Sequence, residues 1–130
     1  LDLAVVKVFD LAKYTKELSE LLDSSDNILI ISHINPDGDA IGSQLALYHY
    51  LTSKRKKVGM MCPNNLQEFL KWMDGSDKID IFIRKRKKCI CLIEAADLIL
   101  MMDFNQPNRL GEAENYVTGS AAVKVIIDLI

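Results

Sequence analysis

The stretch that decides the fold is Asn27-Ile-Leu-Ile-Ile-Ser-His33-Ile-Asn-Pro-Asp37-Gly-Asp39-Ala-Ile-Gly-Ser43. Its first half, residues 28–31, is a short apolar run rich in β-branched side chains, which is typical of a parallel strand buried on both faces. The Asn-Pro-Asp-Gly that follows predicts a turn, in which the proline presets φ and the glycine accepts a positive φ. Asp39 stands where a helix N-cap is expected, because apolar residues at helical spacing come after it.

His33, Asp37 and Asp39 therefore share one strand-to-helix turn at the carboxyl end of a strand, where open α/β sheets bind their ligands. One imidazole and two carboxylates form a mixed nitrogen and oxygen set that suits Mn²⁺ or a similar divalent ion. Each residue also has a purely structural explanation, as a turn former, a helix cap or a hydrogen-bonded strand-end histidine. The combination favours a metal, since two carboxylates this close repel unless a positive charge lies between them.

Two further segments repeat the pattern of a buried strand that ends in aspartate. Residues 96–103 read Ala-Asp-Leu-Ile-Leu-Met-Met-Asp, and residues 123–128 read Val-Lys-Val-Ile-Ile-Asp. If the sheet is parallel, Asp103 emerges at the same edge as His33 and Asp37. A role of Asp103 as a helix cap or turn former is the alternative.

Strands alternate with helical patterns along the chain, which predicts an α/β fold. We expect a single three-layer, Rossmann-like domain over residues 1–130, with a mostly parallel sheet flanked by helices. Five further elements are predicted: helices over residues 3–23, 39–53 and 66–73, and strands over 58–61 and 79–83. Four large side chains crowd the third helix and are expected to pack in the core, with base stacking as the alternative: Phe69, Leu70, Trp72 and Met73.

The charge balance gives no overall signature of a nucleic-acid-binding protein. The chain is 49% apolar and 26% charged, with a formal net charge of −2, so any contact with nucleic acid must be local. The run Arg84-Lys-Arg-Lys-Lys88 predicts an exposed surface, and contact with a phosphate backbone is the less favoured interpretation. No apolar run approaches the length of a membrane helix, so no membrane partner is predicted.

Three cysteines, Cys62, Cys89 and Cys91, do not make a disulfide framework. The Cys-x-Cys pair has no companion cluster of His or Cys, so we expect it to pack as small apolar side chains. This usage favours a reducing, cytoplasmic setting.

The turn resembles a known motif. His33-x-x-Pro-Asp37-Gly-Asp39-Ala-Ile-Gly-Ser43 is similar to the first motif of the DHH phosphoesterase family, in particular the branch of bifunctional oligoribonucleases (nano-RNases) and pAp phosphatases. Asp103, with Phe104, Asn105, Arg109 and Gly111, resembles the second motif, whose aspartate bridges two metal ions. The resemblance implies that this chain is the N-terminal, DHH-type catalytic domain.

The resemblance also implies a mechanism and a set of site residues. The expected activity is hydrolysis of short oligoribonucleotides by a 3′–5′ exonuclease, or of pAp to AMP, at two Mn²⁺ ions, with Mg²⁺ or Co²⁺ as substitutes. The partner is then a short RNA or a nucleotide, and a homodimer is compatible with the family. The implied metal ligands are His33, Asp37, Asp39 and Asp103, of which Asp39 and Asp103 would also be catalytic. Asn105 and Arg109 would order the loop or approach the substrate.

The chain departs from the family after its third strand. Where the family continues Asp-His-His, the sequence reads Asp128-Leu-Ile130. Asp128 would then support the ligands or adjoin the missing histidines, and the family's smaller C-terminal substrate-binding domain is not present in these residues. We therefore expect at most feeble hydrolysis from the 130-residue chain. The alternatives are a single-stranded DNA exonuclease, a pyrophosphatase-like hydrolase of the same family, or a catalytically silent nucleotide-binding domain.

Overall fold

A computed structural model describes residues 3–7, 11–102 and 107–128 of the chain. The strands and helices are, in chain order, β1 (Leu3–Lys7), α1 (Leu11–Ser24), β2 (Asn27–Ser32), α2 (Gly38–Ser53), β3 (Lys57–Cys62), β4 (Ile79–Ile81), α3 (Arg86–Ala95), β5 (Leu98–Met102), α4 (Glu114–Thr118) and β6 (Val123–Asp128). Short 3₁₀ turns cover Glu68–Leu70, Ser76–Lys78 and Pro107–Ala113. None of the helices in these ranges is long and apolar enough to cross a bilayer.

The strands form one six-stranded sheet in the order β1-β6-β5-β2-β3-β4. Every pairing between neighbours is parallel, which confirms the predicted α/β class. Ser32 of β2 pairs with Met102 of β5, and Met102 pairs with Ile127 of β6. These three strands therefore finish level with one another at a single edge, which we call the carboxyl edge.

Helices cover both faces of the sheet because its central strands alternate between two apolar clusters. Ile28 and Ile30 of β2 face the cluster that packs against α1 and α2. Leu29 and Ile31 point the other way, toward the cluster that includes residues of α3 and α4. The result is the predicted three-layer arrangement, with β2 buried on both sides as its unbroken apolar run indicates.

The predicted helix over residues 3–23 was wrong in its first part. Residues 3–7 form β1, and the helix begins at Leu11. β1 pairs with β6, so that Leu3 lies opposite Lys124 more than a hundred residues away. Local periodicity cannot detect such a partner, and an isolated five-residue run is ambiguous between strand and helix.

Two predictions in the middle of the chain also need correction. Residues 66–73 form only a 3₁₀ turn and further turns rather than a helix, and Phe69 and Trp72 are 61% and 79% exposed instead of packed in the core. Helix α3, which was not predicted, spans the Cys-x-Cys pair. At helical spacing Cys89 and Ile93 face the core, whereas Cys91 is exposed. The edge strand predicted over 79–83 is present as β4, which is shorter.

Candidate metal centre at the carboxyl edge

His33 follows the last residue of β2 and is buried, with 5% of its surface exposed. Its ring Nδ1 lies 2.7 Å from the carbonyl oxygen of Ile34 and 3.0 Å from a guanidinium nitrogen of Arg109. A carbonyl oxygen can only accept and a guanidinium can only donate, so a proton on Nδ1 satisfies the Ile34 contact and a lone pair there satisfies the Arg109 contact. With the proton on Nδ1, the ring lone pair lies on Nε2. Metal-binding histidines commonly donate their other ring N–H to a backbone carbonyl in this way.

Asp37 is the N-cap of α2, a role that the sequence had suggested for Asp39. The Asp37 carboxylate accepts a hydrogen bond from the Ala40 N–H at 2.8 Å, with extended backbone at Asp37. Asp39 instead lies in the first turn of the helix, and both carboxylates are exposed. Negative charge here is favoured by the partial positive charge of the helix start, so cap and metal ligand are compatible roles for Asp37.

The loop between β2 and α2 is held by a pair of asparagines. Asn64 Oδ1 accepts from the backbone N–H of Asn35 at 2.9 Å, and Asn64 Nδ2 donates to Asn35 Oδ1 at 2.8 Å. Asn35 has a φ of 50°, a left-handed conformation that asparagine tolerates better than most residues. The positive φ of this turn thus falls on Asn35 and not on Gly38. The Asn35–Asn64 pair fixes the entry to the turn against the loop after β3.

The loop after β5 lies directly against the same turn. The Ile34 N–H donates to the carbonyl oxygen of Arg109 at 2.8 Å. Gly111 has a φ of 59°, and a Cβ there would come within 3.1 Å of Ile34 Cγ2. Glycine therefore meets both a conformational and a steric requirement. This close approach is what brings the Arg109 guanidinium to His33.

Beneath the turn, Gln44 of α2 is completely buried. Its Nε2 donates to the carbonyl oxygens of Ile30 at 2.8 Å and Met61 at 3.1 Å, near the ends of β2 and β3. The neighbouring Cys62 thiol has a raised pKa because it is buried, an effect that the Ser32 hydroxyl beside it partly offsets. Neither Gln44 nor Asn64 was predicted from the sequence. The only local signal of Gln44 is a polar residue on an otherwise apolar helix face, and Asn64 lies in a loop, where asparagine is common.

The structure gives the positions of some of the predicted site residues, and others lie outside the described residues. His33, Asp37 and Arg109 lie on the two adjoining loops at the carboxyl edge, and Asp39 lies in the first turn of α2 beside them. Among the side chains described, no three His, Cys, Asp or Glu groups come together as a complete metal site. Asp103 and Asn105 lie outside the described residues. Asp128 ends β6, and only its backbone is described. The four-ligand set therefore stays a prediction.

Comparison with known proteins identifies the family and agrees with the fold. The model of the DHH family, N-terminal domain, matches residues 27–129. The bifunctional oligoribonuclease and PAP phosphatase NrnA of Mycoplasma genitalium is 31% identical over 88 residues, which are 65% of this chain and 24% of that protein. The crystal structure of an exopolyphosphatase-related protein from Bacteroides fragilis superposes with a TM-score of 0.87 at 40% identity, covering 90% of this chain and 34% of that one.

The chain thus spans about a quarter of the curated relative and about a third of the solved structure. The family match begins at Asn27, the first residue of β2, and runs through the turn, the loop after β5 and β6. It includes every residue that the sequence had singled out for the site. From this match over most of its length, the chain belongs to the DHH family and carries its N-terminal domain.

Proposed function

We propose that this domain is the metal-binding part of a phosphoesterase that hydrolyses short oligoribonucleotides from the 3′ end, and pAp to AMP. The observation that carries the proposal is the level carboxyl edge, at which Ser32, Met102 and Ile127 are in register. The next residues along the chain are the candidate ligands His33 and Asp103 and the supporting Asp128. The name of the Mycoplasma relative supports this choice of substrates.

The donor set suits Mn²⁺. An imidazole with its proton on Nδ1, where the Ile34 carbonyl oxygen can accept it, would bind an ion through Nε2, and the carboxylates of Asp37, Asp39 and Asp103 would add hard oxygen ligands. Two divalent ions supply the charge neutralisation and the hydroxide that phosphodiester hydrolysis needs near neutral pH. His33, Asp37 and Asp103 would hold one ion, and Asp39 with Asp103 would contribute to the second.

Two groups of this chain are suited to hold the substrate phosphate. The first backbone N–H groups of α2 begin at Gly38, beside the carboxylates, and the start of a helix attracts anions. The guanidinium of Arg109 is held next to His33, and its buried Nε has no hydrogen-bond acceptor among the described residues. A phosphoryl oxygen is an acceptor that would satisfy it.

The decisive experiment compares metal-dependent hydrolysis of pAp and a short oligoribonucleotide by the protein and its Asp103→Asn variant. We expect Asp103→Asn to abolish turnover with Mn²⁺ while circular dichroism shows an intact fold, because both ions lose a shared ligand. Near wild-type turnover by a folded Asp103→Asn protein would refute the two-metal assignment. Linear polyphosphate belongs in the same assay, since the Bacteroides structure is described as exopolyphosphatase-related.

A histidine pair gives a matched control for metal binding. His33 is buried at the carboxyl edge, whereas His49 is on the exposed side of α2 with its Nε2 3.1 Å from the Asp74 carbonyl oxygen. His33→Ala should weaken Mn²⁺ binding in a calorimetric titration, and His49→Ala should leave it unchanged. Equal losses from both variants would show that the wrong histidine has been assigned.

A further inference from the structure

Among the side chains that the structure describes, the two most exposed large apolar ones lie three residues apart on one short turn. Trp72 is 79% exposed and Phe69 is 61% exposed. We propose that these two residues, which we call the aromatic platform, stack the bases of a single-stranded oligonucleotide whose phosphate lies at the carboxyl edge. This proposal rests on the proposed function and specifies its substrate as one that carries several bases.

Hydrogen bonds and core packing hold the turn in place, so the exposure of Phe69 and Trp72 is a consequence of the fold. Successive hydrogen bonds join Leu70 N–H to Gln67 O at 3.0 Å and Met73 N–H to Leu70 O at 3.3 Å. In such tight turns, residues three apart lie on the same side. Leu70 and Met73 form the inward side, packed against the core around α2. Phe69 and Trp72 have the same spacing and share the outward side.

The inward contacts place the aromatic platform beside the start of α2. A Cβ on Gly38 would lie 3.9 Å from Leu70 Cδ2, and one on Gly42 would lie 3.6 Å from Met73 Cε. Gly38 is the first residue of α2 and follows Asp37 directly. Phe69 and Trp72 are the chain neighbours of the two side chains that touch this helix start. Bases next to a phosphate bound there would have aromatic surface within reach.

A groove extends from Lys71, which lies between Phe69 and Trp72 in the chain, to Arg84, the first residue of the basic run of residues 84–88. The groove has a cavity volume of about 500 Å³ and is lined by Leu66, Lys71, Ile79 and Arg84, among others. Ligand sites for small molecules usually have volumes of roughly 300–1,000 Å³, and the groove lies within that range. Arg84 is oriented over the groove by a hydrogen bond from its Nε to Asn65 Oδ1 at 2.5 Å.

The basic run gives this region the charge that a polyanion requires. It follows β4, so it lies at the carboxyl edge and continues into the start of α3. Two carboxylates pair with members of the run: Asp80 with Lys85 and Lys88, and Glu112 with Arg86. The groove adds one further cation, Lys71, and two further carboxylates, Glu68 and Asp77. Over the groove and the run together, six cations against four carboxylates leave a surplus of two positive charges.

A ligand that contains bases accounts for the exposed rings of Phe69 and Trp72, whereas a ligand made of phosphates alone does not. Stacking on aromatic side chains contributes about 1–3 kcal/mol per base and is a general device for binding single strands. Polyphosphate has no bases and gains nothing from Phe69 or Trp72, whereas it would gain from the basic run. The aromatic platform therefore favours an oligonucleotide over a polyphosphate as the natural occupant.

Trp72 is the single tryptophan of this chain and reports on its own contacts. The experiment titrates the 130-residue chain, in EDTA to prevent hydrolysis, with a tetra-adenylate RNA and separately with linear polyphosphate of similar charge. We expect the RNA to quench the fluorescence of Trp72 and polyphosphate to leave it nearly unchanged. Phe69→Ala should weaken RNA binding about tenfold, which corresponds to one lost stacking contact. Phe69→Tyr should retain the affinity.

Tyr50 provides a matched control. It is 55% exposed with the Lys54 ammonium 5.7 Å from its ring, but it lies twelve residues after Gly38, about 18 Å along α2. Tyr50→Ala should not change RNA binding. Absence of quenching by RNA, or equal weakening of RNA and polyphosphate binding by Phe69→Ala, would overturn the proposal. Since no turnover is measured, either result is distinct from failure of the phosphoesterase assignment, which the Asp103→Asn comparison tests.

Discussion

Asp37 combines two roles that substitution can separate. Its carboxylate caps α2 through the 2.8 Å hydrogen bond from Ala40 N–H, and it is a predicted metal ligand. Asparagine can make the same cap but lacks the charge, whereas alanine provides neither. In EDTA we therefore expect the free energy of unfolding of Asp37→Asn to lie within about 0.5 kcal/mol of that of the parent protein. The free energy of unfolding of Asp37→Ala should be lower by about 1 kcal/mol. For a domain of this size that is a fall of roughly 3–5 °C in Tm.

Mn²⁺ should change which of the three proteins have similar stabilities. In EDTA the parent resembles Asp37→Asn, whereas with Mn²⁺ the two variants should resemble each other. A ligand at a hundred times its Kd stabilises the folded state by about 2.7 kcal/mol if it binds only that state. The parent should gain this increment, and both variants should lose most of it, because asparagine contributes no charge to the ion. Urea unfolding with EDTA and with Mn²⁺, followed by circular dichroism, measures both effects on the same samples.

Two results would refute the reasoning, each a different part of it. If Asp37→Ala unfolds at the parent's urea midpoint in EDTA, the cap contributes nothing to stability. If Asp37→Asn keeps the full shift with Mn²⁺, Asp37 does not ligate the ion.

Other expectations concern the backbone and the thiols. Gly111→Ala should destabilise the fold by about 1–2 kcal/mol, because φ is 59° and the new Cβ would press on Ile34. Gly38→Ala should not destabilise it, because the atom nearest to the new Cβ is 3.9 Å away. Equal urea midpoints for the two variants would contradict this expectation. A thiol titration at pH 8 should find one fast cysteine, Cys91, and lose it in Cys91→Ser. Cys89 should react slowly, because it is buried and that burial is the main cause of a pKa raised to about 11, so that little thiolate is present at pH 8. Fast reaction of Cys89 would instead show that α3 opens readily.

Local sequence was sufficient for the strand–turn–helix around His33. The buried run of β2, the Asn-Pro-Asp-Gly turn and the apolar spacing of α2 all act within a few residues, so their signals agree. The strands that lead to Asp103 and Asp128 were recognisable for the same reason. Their convergence required only that the sheet be parallel, and the register of β2, β5 and β6 confirms that it is.

Tertiary structure decided what depends on distant partners. Residues 3–7 are a strand because β6 offers a parallel edge. The cap of α2 is Asp37, two residues before the position that the spacing suggested. The approach of Arg109 to His33 requires Gly111 to pack on Ile34, a contact between loops more than seventy residues apart. Phe69 and Trp72 were predicted from the sequence as core residues, yet Leu70 and Met73 are the residues of this turn that pack toward α2, and the two rings are exposed to solvent. Hydrophobicity sets how strongly a side chain favours burial, but only packing against distant elements decides which side chains are buried.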